Sequence, residues 1–160
     1  MKNRHLTAKS FAENACYFMW DEIKEVDYEN EEDKVVLAEW KFMGIDFKIM
    51  QYKLWVPCWY IRIPDDCKEL IWTLKTEWYD YVPHCIVHWW FTFGKRLEEN
   101  NWWEFKEWRW LGWDYGHCDD YADYLRNVSF ANKLKKRTTK EILVDIFEQI
   151  ITFYDEWVLY

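Results

Sequence analysis

The sequence contains little of what joins or repeats domains. It has four glycines and only two serines, so no Gly/Ser-rich linker separates one part of the chain from another, and no internal repeat is visible. With 160 residues the chain is long enough to bury a core without disulfides or a metal, yet too short for a second independent core. The sequence therefore predicts one domain that spans residues 1–160.

Further absences disfavour whole classes of protein. No run of about 18 apolar residues is free of charge, so no transmembrane span is predicted. The basic start of the chain is not followed by a clean apolar segment, so we expect no signal peptide. The net charge of −8 argues against a binder of nucleic acid or of anionic membranes, because both require a positive surface. These features predict a cytoplasmic protein.

The motifs of several common chemistries are also missing. The five cysteines are an odd set without a CxxC pair, which fits free thiols in a reducing compartment better than a zinc ribbon or a disulfide framework. There is no GxGxxG segment, no P-loop and no G-x-S-x-G nucleophile elbow, and serine is too scarce to favour serine catalysis. The sequence does not by itself name a reaction, and it favours a protein that is not an enzyme.

Tryptophan is the residue that is most over-represented. The chain has 14 tryptophans, and aromatic residues make up 22% of it. Tryptophan is seldom wholly buried and is enriched at binding hot spots, so some of these side chains are expected to line a groove or an association surface, including one between copies of the chain. The alternative is a core built from indole rings in place of leucines. The composition leaves both readings open.

Helical periodicity marks the two ends of the chain. Residues 6–20 place apolar side chains at helical spacing, and we expect Leu6, Phe11, Ala15, Phe18 and Met19 to face the core. Near the other end, Thr138 and Glu141 form a capping-box pattern before an apolar stripe. That pattern predicts a helix over about 139–157 that packs on a sheet through Ile142, Ile146, Phe147, Ile150, Tyr154 and Val158.

Between these helices the composition is typical of β-structure. Strands are predicted near 34–43 and 45–54, joined by a tight hairpin at residues 43–45, and a third near 56–63. A short helix is expected at 66–76, a central strand at 85–94, a loop or short helix at 98–107 and a last strand at 108–116. The fold class that follows is α+β: an antiparallel or mixed sheet of about five strands packed by an N-terminal and a long C-terminal helix.

Two charged segments flank this sheet region. Residues 21–33 hold eight acidic side chains against one lysine, a block that normally stays solvated but can also meet a basic partner as a phosphate backbone would. The one basic cluster, Lys133, Lys135, Lys136 and Arg137, precedes the last helix. If the acidic segment binds a partner protein, its candidate contact residues are Glu25, Asp27, Glu29, Glu31, Glu32 and Asp33.

One polar cluster could carry chemistry. Asp114, His117 and one of Asp119 or Asp120 lie within seven residues where a predicted strand ends, and His88 lies on a neighbouring predicted strand. Two imidazoles and carboxylates suit a divalent metal such as Zn²⁺, Mn²⁺ or Fe²⁺, and without metal Asp114 could orient His117 as an acid–base pair. A turn in which these side chains cap the backbone explains the same spacing. No cofactor is therefore certain, and a divalent metal at His88, Asp114, His117 and Asp120 is one alternative.

Three segments of the chain carry a resemblance. In their order and spacing, CWYIRIP at 58–64, VHWWFTFG at 87–94 and WRWLGWDYGHCDDY at 108–121 resemble a group of small uncharacterised phage and prophage proteins. In that group the histidine of the second segment is followed by two glycines, where this chain has Trp89 and Trp90, which would close or reshape a ligand site there. The positions that match are Pro64, His88, Thr92, Gly112, Asp114, His117, Asp120 and Tyr121.

The resemblance implies a function as well as a set of residues. It raises the expectation that His88, Thr92, Asp114, His117, Asp120 and Tyr121 bind a ligand. Small acidic phage proteins of this kind are often inhibitors of a host defence factor, such as a CRISPR effector, and act by binding a basic surface of that host protein. Two alternatives stay open: a metal-assisted hydrolase or sequestering protein for a phosphoester or nucleotide, and a structural or assembly part of a phage.

Overall fold

Two helices and an antiparallel sheet make up the described part of the fold. The computed structural model describes residues 4–53, 56–68, 91, 93–94, 110–116, 120, 128–130 and 133–156. Helix α1 spans Arg4–Phe18 and helix α2 spans Thr139–Asp155. The predicted α+β class is confirmed. Within the described residues, neither helix is long and apolar enough to cross a membrane.

The sheet lies between the two helices in sequence and packs against them. Its strands run in the order β1-β2-β3-β5-β4, with every neighbouring pair antiparallel. Four of them have five residues or more, and β4 adds only a two-residue pairing to β5. The bounds are β1 Lys34–Phe42, β2 Ile45–Tyr52, β3 Pro57–Arg62, β4 Phe93–Gly94 and β5 Trp110–Asp114.

The centre of this sheet differs from the prediction. Residues 85–94 were expected to form the central strand because they are almost continuously apolar. In the described sheet the central strand is β3, which is buried over residues 57–61, and β4 lies at the end of the strand order. Apart from Phe91 and β4, residues 85–94 lie outside the described residues. The predicted element at 98–107 and residues 69–76 of the predicted short helix lie outside them too.

The first hairpin follows from its turn residues. Met43 and Gly44 both have positive φ, at 49° and 80°, as a two-residue turn between twisted antiparallel strands requires. Glycine adopts this conformation without strain, which fixes the register that pairs Phe42 with Ile45. The pairing shifts by one residue between Val36 and Ala38, so that Leu37 forms a β-bulge in β1.

Helix α2 covers the sheet with an apolar face in the described part of the chain. Its cap is the predicted one, since the Thr138 side chain accepts a hydrogen bond from the Glu141 amide at 3.2 Å. Phe147 is fully buried, stacks on Phe42 with ring centroids 4.0 Å apart, and meets Phe47 edge-on at 5.5 Å. The predicted core positions Ile142, Ile146 and Ile150 are also fully buried, whereas Val158 lies outside the described residues.

Helix α1 forms where an amphipathic helix is predicted, but its predicted apolar face is buried only at Ala15 and Met19. Leu6, Phe11 and Phe18 are 62%, 43% and 76% exposed, so the prediction that they face the core is wrong. The buried seam consists of three alanines at helical spacing, Ala8, Ala12 and Ala15. Met19, just after the helix, is buried as well. Small side chains let two helix backbones approach closely, and α1 lies against α2.

The described tryptophans are found both in the core and on the surface. Trp59 and Trp113 face each other across β3 and β5 and are buried, as is Trp110. Trp20 and Trp40 are 76% and 41% exposed. Both readings of the tryptophan-rich composition therefore apply to this part of the chain: indole rings build the core, and others remain accessible to a partner.

Candidate functional site

The predicted polar cluster is described only in part. Asp114 ends β5, is half-buried, and accepts a hydrogen bond from the Gly116 amide at 2.9 Å, as in a backbone-capping turn. Asp120 is buried. The other residues proposed to bind a ligand lie outside the described residues: His88, Thr92, His117 and Tyr121. Within the described ranges, no group of three or more His, Cys, Asp or Glu side chains could hold a metal ion. The metal set stays a prediction.

Asp120 forms a buried ion pair with Arg137. Its Oδ1 atom accepts hydrogen bonds from Arg137 Nη2 at 3.1 Å and Nε at 3.3 Å, and its side chain is completely shielded from solvent. The Arg137 guanidinium also lies over the Tyr115 ring, 5.2 Å from the ring centre. Asp120 belongs to the predicted polar cluster and Arg137 to the predicted basic cluster. Their pairing is not predicted, because 17 residues separate them in the sequence.

Tyr115 continues this network towards α2. Its hydroxyl donates a hydrogen bond to Asp145 Oδ2 at 2.6 Å, and its ring is buried below Arg137. Burial, together with the charge of Asp145, raises the pKa of Tyr115 well above its usual value, so the phenol remains a donor. The chain Asp120–Arg137–Tyr115–Asp145 is a polar structure that ties the end of β5 to α2.

The acidic segment, residues 21–33, is a loop that is attached to the sheet by its backbone. The Lys24 amide donates to the Leu37 carbonyl at 2.7 Å, and the Lys53 amide donates to the Asp33 carbonyl at 3.2 Å. Between these points, the Asp27 backbone exchanges two hydrogen bonds with the side chain of Gln51, which is buried in β2. Ile23 and Val26 pack against the core. The acidic residues of the segment are exposed, as predicted, while the hydrogen bonds to β1 and β2 and the contacts of Ile23 and Val26 fix the path of its backbone.

A second set of contacts attaches the acidic segment to the start of α2. The Tyr28 hydroxyl accepts a hydrogen bond from the Arg137 amide at 2.8 Å and donates one to the Arg137 carbonyl at 3.2 Å. Glu25 Oε1 accepts from the Thr139 amide at 2.8 Å, and the Thr139 hydroxyl donates to the Lys24 carbonyl at 2.7 Å. These bonds join parts of the chain that are more than 100 residues apart.

The predicted partner-binding carboxylates consequently divide into two groups. Glu25 bonds to backbone amides and Asp27 Oδ1 accepts from the Glu29 amide, so both help to shape the loop. The other four carboxylates belong to exposed residues: Glu29, Glu31, Glu32 and Asp33. Of these, Glu31 lies 3.6 Å from Lys53 Nζ. The outward charge of the loop is therefore carried mainly by its second half, together with Asp21 and Glu22 at its start.

The Tyr28 contact predicts a dependence of stability on alkaline pH. Burial raises the pKa of Tyr28 to about 12, whereas a phenol in an unfolded chain titrates near about 10. Between these values the folded chain binds a proton that the unfolded chain has lost, so Tyr28 stabilises the fold fully below about pH 10 and its contribution falls as pH rises towards 12. Urea unfolding at a series of pH values should show a shallower decline for Tyr28→Phe than for the wild type. Tyr17→Phe, at a position 78% exposed, is the control and should leave the decline unchanged.

No protein family, curated protein or solved structure matches the chain, so the resemblance to phage proteins and the functions that it implies stay predictions.

Proposed function

We propose that this protein is a binding protein whose acidic segment docks on a positively charged surface of a partner protein, and that it acts as a phage-encoded inhibitor of a host defence factor. The observation that supports the proposal is the combination of exposed carboxylates and a fixed backbone in residues 21–33. The Gln51, Tyr28 and Thr139 contacts hold the loop in place, while all of its carboxylates other than those of Glu25 and Asp27 are left for a partner.

A fixed path matters because binding costs the entropy of the groups that it orders. A loop that is already held loses little freedom on association, so more of its electrostatic attraction appears as affinity. Negative charge at the surface also speeds the encounter with a positive partner and makes that rate sensitive to salt. These properties suit an inhibitor that must compete with nucleic acid for a basic groove, because carboxylates would occupy the places of phosphate groups.

Exposed aromatic side chains next to the acidic segment supply apolar anchors. Trp20 directly precedes the segment and is 76% exposed, and Tyr17 and Phe18, at the end of α1, are 78% and 76% exposed. Tryptophan and tyrosine at the centre of an interface, surrounded by charged residues, are the usual arrangement of a binding hot spot. The proposed docking surface therefore consists of residues 17–33, with an aromatic part and an acidic part.

Neutralising carboxylates of the acidic segment tests the proposal. The variant Glu22→Gln, Glu29→Gln, Glu32→Gln removes three exposed charges without touching the Glu25 and Asp27 bonds that shape the loop. A panel of purified nucleic-acid-guided defence effectors is assayed for target DNA binding with and without the protein. Against the effector that the wild type inhibits, we expect the variant to need about tenfold more protein. Inhibition by the wild type should weaken steeply as salt rises.

A charge-matched variant controls for net charge. Glu39→Gln, Asp46→Asn, Asp66→Asn removes the same number of negative charges from the sheet and the residues after it, outside the proposed surface. This variant should inhibit within about twofold of the wild type, because distant charges are screened by salt. Equal potency of the two triple variants, or the absence of inhibition across the panel, would contradict the proposal.

A further inference from the structure

A second surface, opposite in charge to the acidic segment, lies between the two helices. A cleft of about 430 Å³ opens where α1, residues 135–137 and the first turns of α2 meet. We call it the basic cleft, because its lining includes His5, Lys9, Lys135, Arg137 and Lys140. Its volume is within the range of pockets that hold small molecules. The basic cluster at 133–137 is visible in the sequence, whereas its proximity to residues of α1 depends on the fold.

The concentration of positive charge in the cleft needs a reason, because the chain as a whole carries −8. Four cationic side chains and a histidine line it, against the carboxylates of Glu141 and Asp145. The neighbouring ion pairs are exposed and weak: Lys140 Nζ is 3.3 Å from Glu13, and Lys135 Nζ is 3.9 Å from Glu141. In the described part of the chain, Lys9 forms no ion pair. His5 Nδ1 is 3.2 Å from Glu148, and Arg137 pairs with the buried Asp120. Within the lining itself, the cations outnumber the carboxylates by two, and an anion could be attracted mainly by Lys9 and by the two weakly paired lysines.

The cleft is also held in shape before any ligand arrives. Arg137 is fixed by the buried Asp120 carboxylate, by the Tyr115 ring and by the Tyr28 hydroxyl at its backbone. The alanine seam of α1 sets the distance between the helix that carries Lys9 and the helix that carries Lys140. The backbone positions that carry the cations are therefore set by the fold, and only the exposed lysine side chains have to be ordered when an anion binds.

We propose that the basic cleft binds a small phosphorylated molecule. Lysine ammonium groups are compact point charges that suit phosphate oxygens, and Lys9, Lys135 and Lys140 all line the cleft. The remaining lining provides carboxylates at Glu141 and Asp145 that can accept hydrogen bonds from hydroxyl or amino groups, and an apolar contact at Val144. This lining suits a phosphate ester with a polar body.

The charge around the cleft favours a small ligand over a nucleic acid. The acidic segment reaches the start of α2 through Tyr28 and Glu25, so negative side chains lie beside the cleft. A polymer that extended beyond the cleft would meet this negative field and would gain little from counterion release. A single phosphate or diphosphate group is small enough to stay within the cleft of about 430 Å³.

Calorimetric titration with pyrophosphate tests this site. The full-length protein is titrated at pH 7, with sodium chloride adjusted so that ionic strength stays constant. We expect saturable binding of one pyrophosphate per chain. The double variant Lys9→Gln, Lys140→Gln should weaken it at least about tenfold, because two of the cations that contact the anion are lost. Lys9→Arg, Lys140→Arg, which keeps both charges, should restore most of the affinity.

The matched control is Lys41→Gln, Lys133→Gln, which removes the same charge from exposed residues that do not line the cleft. Its affinity for pyrophosphate should stay within about twofold of the wild type. All variants should show unchanged thermal unfolding, because the four lysines are exposed. No saturable binding by the wild type, or equal weakening in both glutamine double variants, would overturn the proposal. Neither result would bear on the acidic segment, which these variants leave intact.

Discussion

Replacing Arg137 with alanine should lower the free energy of unfolding by about 3–5 kcal/mol, because it removes the cationic partner of a buried charge. The Asp120 side chain is completely shielded from solvent and takes two hydrogen bonds from the guanidinium. Without them the buried carboxylate has no cation to offset the cost of its desolvation. The cation over the Tyr115 ring is lost as well. Denaturant unfolding followed by tryptophan fluorescence measures the change.

Two further variants separate the ion pair from other effects of the substitution. Lys133→Ala, an exposed neighbour in the same basic cluster, should change stability by no more than about 0.5 kcal/mol. Adding Asp120→Leu to Arg137→Met should recover most of the stability that Arg137→Met alone loses, because an apolar pair no longer leaves a buried charge uncompensated. A loss below about 1 kcal/mol for Arg137→Ala would show that the pair is not a structural tie.

Phe147→Ala should destabilise the fold by about 3–5 kcal/mol, through loss of buried surface and the cavity that it leaves. Phe147 is fully buried at the contact between α2 and the sheet, where it stacks on Phe42 and meets Phe47 edge-on. The gap would lie between rigid elements that cannot easily close it. Thermal unfolding monitored by circular dichroism should show a midpoint lower by roughly 10 °C for a chain of this size.

The comparison for this substitution is Phe11→Ala. Phe11 also contacts the Phe42 ring, with centroids 5.3 Å apart, but it is 43% exposed on α1. Its removal should cost about 1 kcal/mol, because little apolar surface leaves the interior. Equal losses in the two alanine variants would contradict the view that the buried Phe147 contributes more to stability than the half-exposed Phe11.

Helix α2 and the first hairpin could be predicted because their signals are local. Thr138 and Glu141 lie three residues apart and form the cap that they predict, and Met43-Gly44 supplies the positive φ that the turn needs. The apolar residues of α2, including Phe147, recur at helical spacing, and this spacing identifies the buried face of the helix. In each case the residues that determine the element are neighbours in the sequence, so no knowledge of the rest of the fold is required.

The remaining features depend on residues that are far apart. The buried face of α1 consists of Ala8, Ala12 and Ala15, which are less apolar than the exposed Leu6 and Phe11, so periodicity identified Ala15 but missed Ala8 and Ala12. Tyr28 and Arg137 are 109 residues apart, and the basic cleft draws on two helices and the segment between residues 135 and 137. The charge of the acidic segment was visible in its composition, whereas its attachment uses backbone groups that every sequence has.

The bulge in β1 has a consequence for how copies of the chain can meet. In the described sheet β1 is the outermost strand, and a bare outer strand offers its hydrogen-bonding groups to any other extended chain. Here Leu37 interrupts the regular pairing pattern, and its carbonyl already accepts the Lys24 amide from the acidic segment. A strand of another molecule could not pair along the whole of β1, and it would meet like charge on its approach. Strand addition is therefore disfavoured on this side, and self-association there would have to rely more on side chains such as Trp40.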